Sequence, residues 1–160
     1  MPKLRPTAGS PGMLILICGL PGAGKTTLAR RLEVERPAVR FTEDEWVARL
    51  FGPDAAHDGP LRDRIHEVQW GHAVRVAQLG VDVVLDWGFW ARGQRDDYRG
   101  RAAALGLTTE LHYLDVSRDD LWRRIALRNR GLPPDSFHVH EHELDEWVTW
   151  FEPPTADELS

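Results

Sequence analysis

Residues 19–26 read GLPGAGKT, the spacing G-x-x-x-x-G-K-[ST]. Glycines at these intervals let backbone N–H groups turn inward around phosphate oxygens, a path that side chains would obstruct. The helix that should open at Lys25 adds the positive end of its dipole. Lys25 is placed to reach the β- and γ-phosphates of ATP, and the Thr26 hydroxyl suits Mg²⁺. The residues expected to bind the nucleotide are Gly19, Pro21, Gly22, Ala23, Gly24, Lys25, Thr26 and Thr27, joined by Arg128 from further along the chain.

Three further features bear on what such a phosphate group would meet. Asp44 is expected at the C-terminal end of a second strand, where ligands bind in open α/β sheets, and can take the proton of an acceptor hydroxyl. Its competing reading is a cap on the helix that follows. Asp86 ends the apolar run Val81-Asp82-Val83-Val84-Leu85 and can hold Mg²⁺, directly or through water, or position an acceptor or a lid arginine, against a competing reading as a capping carboxylate. Trp87-Gly88-Phe89-Trp90 follows it. With Trp46, Trp87 and Trp90 are candidates for an apolar acceptor wall beside Asp44 and Asp86, against the commoner use of tryptophan in a core. Arg124 and Arg128 are four apart on one helix face, just before the breaker Gly131-Leu132-Pro133-Pro134. Two guanidiniums closing over a triphosphate match the charge that spreads over equatorial oxygens in phosphoryl transfer. The expected catalytic set is Lys25, Asp44, Arg124 and Arg128.

Other chemistry-bearing residues are set aside. His138, His140 and His142 alternate as H-x-H-x-H and are read as exposed loop histidines rather than a zinc site. His72 reads as a core histidine. Cys18 reads as a small apolar residue whose nearness to the glycines would expose it to alkylation. Asp97-Tyr98-Arg99-Gly100 fits D-x-x-G inside a helix pattern, and no N-K-x-D guanine signature occurs, which disfavours a GTPase switch.

The elements that must position these residues alternate between strand and helix. A continuous apolar run over 13–18 suits a strand buried on both faces, and a helix follows over 25–35. A short strand over 39–41 and a helix over 44–50 come next, then a loop bracketed by Gly52-Pro53 and Gly59-Pro60. From 61 to 79 the positions Leu61, Ile65, Val68, Val76 and Leu79 trace a helical face, closed by Gly80. Strands are expected over 81–85 and 111–116. Helices are expected over 92–105, from the Ser117 cap to 130, and over 141–151 on Leu144, Trp147, Val148 and Phe151. This is an α/β pattern with a parallel sheet and helices on both faces.

The chain of 160 residues is sized for one domain, and 42% apolar residues supply a core. A net charge of −5 argues against a dedicated nucleic-acid coat. One cysteine rules out an internal disulfide framework and fits a reducing compartment. Lys3 and Arg5 before the apolar run superficially suit a secretory signal, but its cleavage region would fall on the phosphate motif. With no apolar run of membrane-spanning length, the expectation is a cytoplasmic protein with no membrane contact. Residues 1–12 read as a mobile tail and 13–160 as the domain, with a lid at about 124–142.

With the glycine motif at 19–26, Asp44 after the second strand, a strand ending in Asp86 and the L-x-x-R-x-x-x-R helix Leu121…Arg124…Arg128, the chain resembles a known group over about residues 13–155. These are the small P-loop kinases of the polynucleotide-kinase, chloramphenicol-phosphotransferase and zeta-toxin type, AAA-family ATP-binding proteins. The resemblance implies a three-layer P-loop NTPase fold with a central parallel sheet of four or five strands and a small lid. It also implies Asp44 as general base and Arg124 and Arg128 as lid arginines. Polynucleotide 5′-kinases carry an arginine three residues after the base, where this chain has Val47; Arg49 is a loose substitute. The expected function is transfer of the ATP γ-phosphate to a hydroxyl of a small molecule such as a nucleoside, sugar or antibiotic. The alternatives are a nucleic-acid 5′-hydroxyl kinase and an ATP-bound regulatory module with slow hydrolysis.

Overall fold

The computed structural model describes residues 9–159. Four parallel strands, β1 (Leu14–Cys18), β2 (Ala38–Thr42), β3 (Asp82–Gly88) and β4 (Thr109–Tyr113), form one sheet in the order β2-β3-β1-β4. β1 lies in the middle and is buried along its whole length. Its continuous apolar sequence follows from cover on both faces. Leu14, Leu16 and Cys18 pack with Trp70, Ala73 and Ala77 of α3 (Gly59–Gln78) and with Tyr98 and Ala102 of α4 (Arg92–Ala104). Ile15 and Ile17 point the other way, onto Ala29 and Leu32 of α1 (Lys25–Glu35). A third cluster joins Leu20 and Ala23 to Leu121 and Ile125 of α5 (Arg118–Asn129) and Leu144 of α6 (Glu141–Trp150). The expected three-layer α/β architecture is thus present with four strands among the described residues.

Several local expectations change. β2 ends at Thr42 and α2 (Glu43–Phe51) starts at once, so Asp44 sits in the first turn of a helix and not at a strand end. Gly59 and Pro60 open α3 rather than closing a loop: Asp58 caps the helix by accepting from Leu61 N at 3.0 Å, and Pro60 occupies a first turn that needs no donor. The buried face of α3 is Ile65, Gln69, Trp70, Ala73 and Ala77. Val68 and Leu79 are 52% and 53% exposed, and His72 is exposed rather than a core histidine. The stripe 65-69-73-77 uses small alanines for close approach to the sheet, which a search for large aliphatic residues passes over. β3 runs on through Asp86 and Trp87 to Gly88.

A short helix not anticipated from the sequence, α7 (Ala156–Leu159), is anchored through Glu158. Of the tail expected over 1–12, residues 1–8 lie outside the described residues. Gly12 is buried and donates to Ala77 O at 2.7 Å. Among the described residues no helix is long and apolar enough to cross a membrane.

Candidate functional site

The 19–26 loop leaves the C-terminal end of β1 and enters α1. Gly22 and Gly24 have φ of 86° and 95°, a left-handed path that β-carbons disfavour. At Gly22 a β-carbon would also lie 2.9 Å from Ile125 Cγ1 and 3.0 Å from Leu121 O, so α5 rests directly on this bend. At Gly24 no atom would lie within 4 Å, which leaves the inside of the loop open. α1 starts at Gly24 with no side-chain cap and no acidic residue in its first turn. Its first N–H groups and dipole are therefore available to an anion. Lys25 Nζ donates to Leu20 O at 3.1 Å, folded across the loop it serves. Pro21 and Ala23 shape the bend, and Thr27 is exposed on α1.

Asp86 is 4% exposed and accepts two hydroxyl hydrogen bonds at Oδ2, from Thr26 Oγ1 and Thr42 Oγ1, each at 2.9 Å. The β2–β3 register pairs Thr42 with Asp86, and Arg40 Nη1 donates to Thr42 Oγ1 at 2.6 Å. A hydroxyl and a carboxylate oxygen meeting beside a phosphate cradle form a donor set suited to Mg²⁺. The open loop, the uncapped helix and this oxygen pair fit Mg·ATP. Thr42 was not singled out from the sequence, because its role depends on strand register.

Asp44 is 54% exposed at its side chain, and its Oδ1 accepts from Arg62 Nη1 at 2.7 Å. Its neighbour Glu43 turns inward, 14% exposed, toward Arg62 at 3.3 Å. Glu43 Oε2 lies 2.5 Å from His66 Nε2, a close contact, although both buried atoms lack hydrogen-bond geometry. Arg128 Nε is buried and makes no hydrogen bond. Burial pushes its guanidinium below the ordinary value while the Asp44 charge opposes that shift, so the two groups share one field. Arg124 Nη1 reaches Gly22 O and Ala23 O at 3.4 Å, on the outside of the phosphate loop.

The segment after α5 is closed at its base by Asn129, which exchanges hydrogen bonds with Val139 at 2.7 and 3.2 Å. It rests on α2 through Arg49 Nε and Asp135 Oδ2, 2.9 Å apart. The rings of His138 and His140 are 4.5 Å apart and those of His140 and His142 5.5 Å. No group of three ligating residues among the described residues is arranged to hold a metal.

The aromatic wall is a correction. Trp87 is 5% exposed, donates from Nε1 to Gln69 Oε1 at 2.7 Å and stacks on His66 and Phe89. Trp90 donates to Gly19 O at 3.2 Å and packs on Trp147, bracing the phosphate loop from behind. Trp46 meets Phe41 edge-on. These rings pack the core and support the site. Cys18 is also corrected: it is fully buried, its Sγ donates to Phe89 O at 3.3 Å, and burial pushes its thiol up to about 11. A protonated, enclosed thiol is not an alkylation target.

Arg95, fully buried, was missed. It donates to Phe89 O and Trp90 O at 2.8 and 3.1 Å and pairs with Glu158 at 2.8 Å. Its only sequence signal is its place with Tyr98 and Ala102 on one helical face.

A comparison with curated proteins gives no match. Among solved structures, the chain is similar to a chain of the Pnkp1/Rnl/Hen1 RNA repair complex, with TM-score 0.74, 19% identity and 89% of this chain covered. It spans 44% of that chain. It is similar to Kti12 of Chaetomium thermophilum in complex with ADP-AlF3, with TM-score 0.67, 18% identity, and 89% of this chain and 81% of that chain covered. It is also similar to the Mycobacterium tuberculosis APS kinase CysC in complex with AMPPNP and APS, with TM-score 0.61, 15% identity, and 89% and 98% covered. These likenesses establish a small P-loop kinase fold. Residues 14–154 match the AAA domain family AAA_33, and the chain belongs to that family.

Proposed function

We propose that this protein is an ATP-dependent phosphotransferase that phosphorylates a hydroxyl of a small molecule. The observation that carries the reading is at Asp44: its carboxylate in the first turn of α2 is 54% exposed and held at Oδ1 by Arg62 Nη1 at 2.7 Å, and its charge reaches the half-buried Arg128 of the lid helix, whose Nε has no hydrogen-bond partner. A hydrolysing switch needs a held water, whereas a carboxylate open on the acceptor side suits a hydroxyl substrate.

ATP would supply the γ-phosphoryl group, and Mg²⁺, when bound, would neutralise its charge. The N–H groups of 19–26 and the start of α1 hold the phosphates, with Lys25 turning from Leu20 O to join them. Thr26 and Asp86 would hold the metal. Asp44 receives the acceptor proton at Oδ2, since Oδ1 is taken by Arg62. On closure of the lid, Arg124 would leave Gly22 O and Ala23 O and join Arg128 over the reacting phosphate, excluding water that would otherwise compete as acceptor.

A second reading, a nucleic-acid 5′-hydroxyl kinase, is favoured by the likeness to the RNA repair chain. Against it stand Val47, fully buried and unable to meet an acceptor phosphate, and Arg49, already paired with Asp135 and Glu45. The test is mass spectrometry of the protein with Mg·ATP and a panel of nucleosides, sugars, aminoglycoside-type alcohols and 5′-hydroxyl oligonucleotides. Phosphorylated small molecules support the first reading, a phosphorylated oligonucleotide alone supports the second, and free phosphate alone with every acceptor overturns both.

A further inference from the structure

Arg62, in the first turn of α3, takes no part in the chemistry above, yet three other segments meet on its guanidinium. Nη1 donates to Asp44 Oδ1 at 2.7 Å and lies 3.3 Å from Glu43 Oε1. Nε donates to Ala56 O at 2.6 Å, in the turn before α3. The guanidinium carbon sits 5.7 Å from the centroid of the Phe137 ring, in the lid segment. The side chain is 21% exposed, well inside the 54% of the carboxylate it holds.

An aspartate this exposed on a first helical turn would turn freely about χ1 and χ2, and proton transfer needs one fixed direction. We propose that Arg62 is the positioning residue for Asp44, and that Phe137 seats it there when the lid segment is down. This inference rests on the phosphotransferase reading. Arg62 takes Oδ1 and leaves Oδ2 for the acceptor hydroxyl. It holds its own proton throughout and so does not compete for the one being transferred. The planar fork serves Ala56 O and Asp44 together, which the point charge of a lysine cannot do. Arg62 also sorts the two adjacent carboxylates. Glu43 is drawn inward between Arg62 and His66, and Asp44 is held outward, 54% exposed.

The test is a double-mutant cycle on Mg·ATP turnover, measured in water and with a mixture of nucleosides and sugars as probe acceptors. Fluorescent ATP-analogue affinity and thermal unfolding are followed alongside. Arg62→Ala should lower turnover about 10²-fold and leave nucleotide affinity within about threefold. Arg62→Lys, which keeps the charge and tests the fork in a folded protein, should show an intermediate loss. In an Asp44→Asn background, Arg62→Ala should cost less than about twofold more, because the two act as a unit. Multiplicative losses, or full turnover in Arg62→Ala or Arg62→Lys beside a damaged Asp44→Asn, overturn this inference alone. A silent Asp44→Asn overturns it together with the base assignment. No turnover by the parent chain overturns the phosphotransferase reading itself.

Discussion

Thr26 Oγ1 donates a 2.9 Å hydrogen bond to Asp86 Oδ2, tying the first turn of α1 to the end of β3. If this oxygen pair holds Mg²⁺, as proposed, it sets the metal demand. Asp86→Asn should raise the Mg²⁺ concentration for half-maximal turnover at least about tenfold. Thr26→Ser should stay near the parent. Magnesium titration of initial rates decides it, and an unchanged midpoint would remove both residues from the metal site.

Lys25→Ala should reduce turnover by orders of magnitude, since Lys25 alone supplies a flexible cation from within the loop. Its one hydrogen bond, to Leu20 O, is part-buried and local, so the melting temperature should fall by no more than about 4 °C. Calorimetry beside a rate assay separates the two effects.

Asp44→Asn preserves shape and removes the proton acceptor. Turnover should fall by about 10²–10⁴, with ATP-analogue affinity within about threefold of the parent. A collapse of affinity would instead place Asp44 among the metal ligands.

Arg128 holds a buried Nε with no hydrogen-bond partner. Such a group costs roughly 1–3 kcal/mol. Arg128→Met should therefore raise the melting temperature by roughly 2–12 °C while turnover drops. Arg128→Lys and Arg124→Lys should both lower the rate, because neither lysine reproduces the forked donor set. Greater stability without loss of turnover would show that Arg128 has no part in the reaction.

Glu158 is held well below its ordinary 4.5, first by its hydrogen bond from Arg95. A carboxylate lowered on folding adds stability that is complete above 4.5 and drains away as pH falls toward the folded value. Glu158→Gln breaks a pair whose side chains are 0% and 1% exposed. It should cost about 3–5 kcal/mol near neutrality. Denaturant melts of the variant should change less between neutral pH and pH about 3 than those of the parent. Identical acid profiles would assign acid sensitivity to other carboxylates.

What the sequence made legible was whatever follows from local spacing. The glycine motif, the buried β1 run and the caps at Ser117 and Gly80 are each decided within a few residues, and the structure reproduces those elements. Thr42 and Arg62 were not legible, because one depends on strand register and the other on where α3 crosses α2. Trp87 and Trp90 were misplaced for a related reason. Aromatic density signals burial or a ligand wall equally well, and only partners such as Gln69 and Gly19 O distinguish them.

Arg95 and Glu158 stand 63 positions apart, and Arg95 grips the carbonyls of Phe89 and Trp90 while Trp90 braces Gly19. The frame of the phosphate loop therefore closes only after residue 158 has been synthesised and left the ribosome. During translation, the sheet and α1 can form around an incompletely braced cradle. Nucleotide affinity should therefore be acquired late, in one step with the docking of α7. A nascent chain stalled before residue 158 would be compact yet poor at retaining ATP.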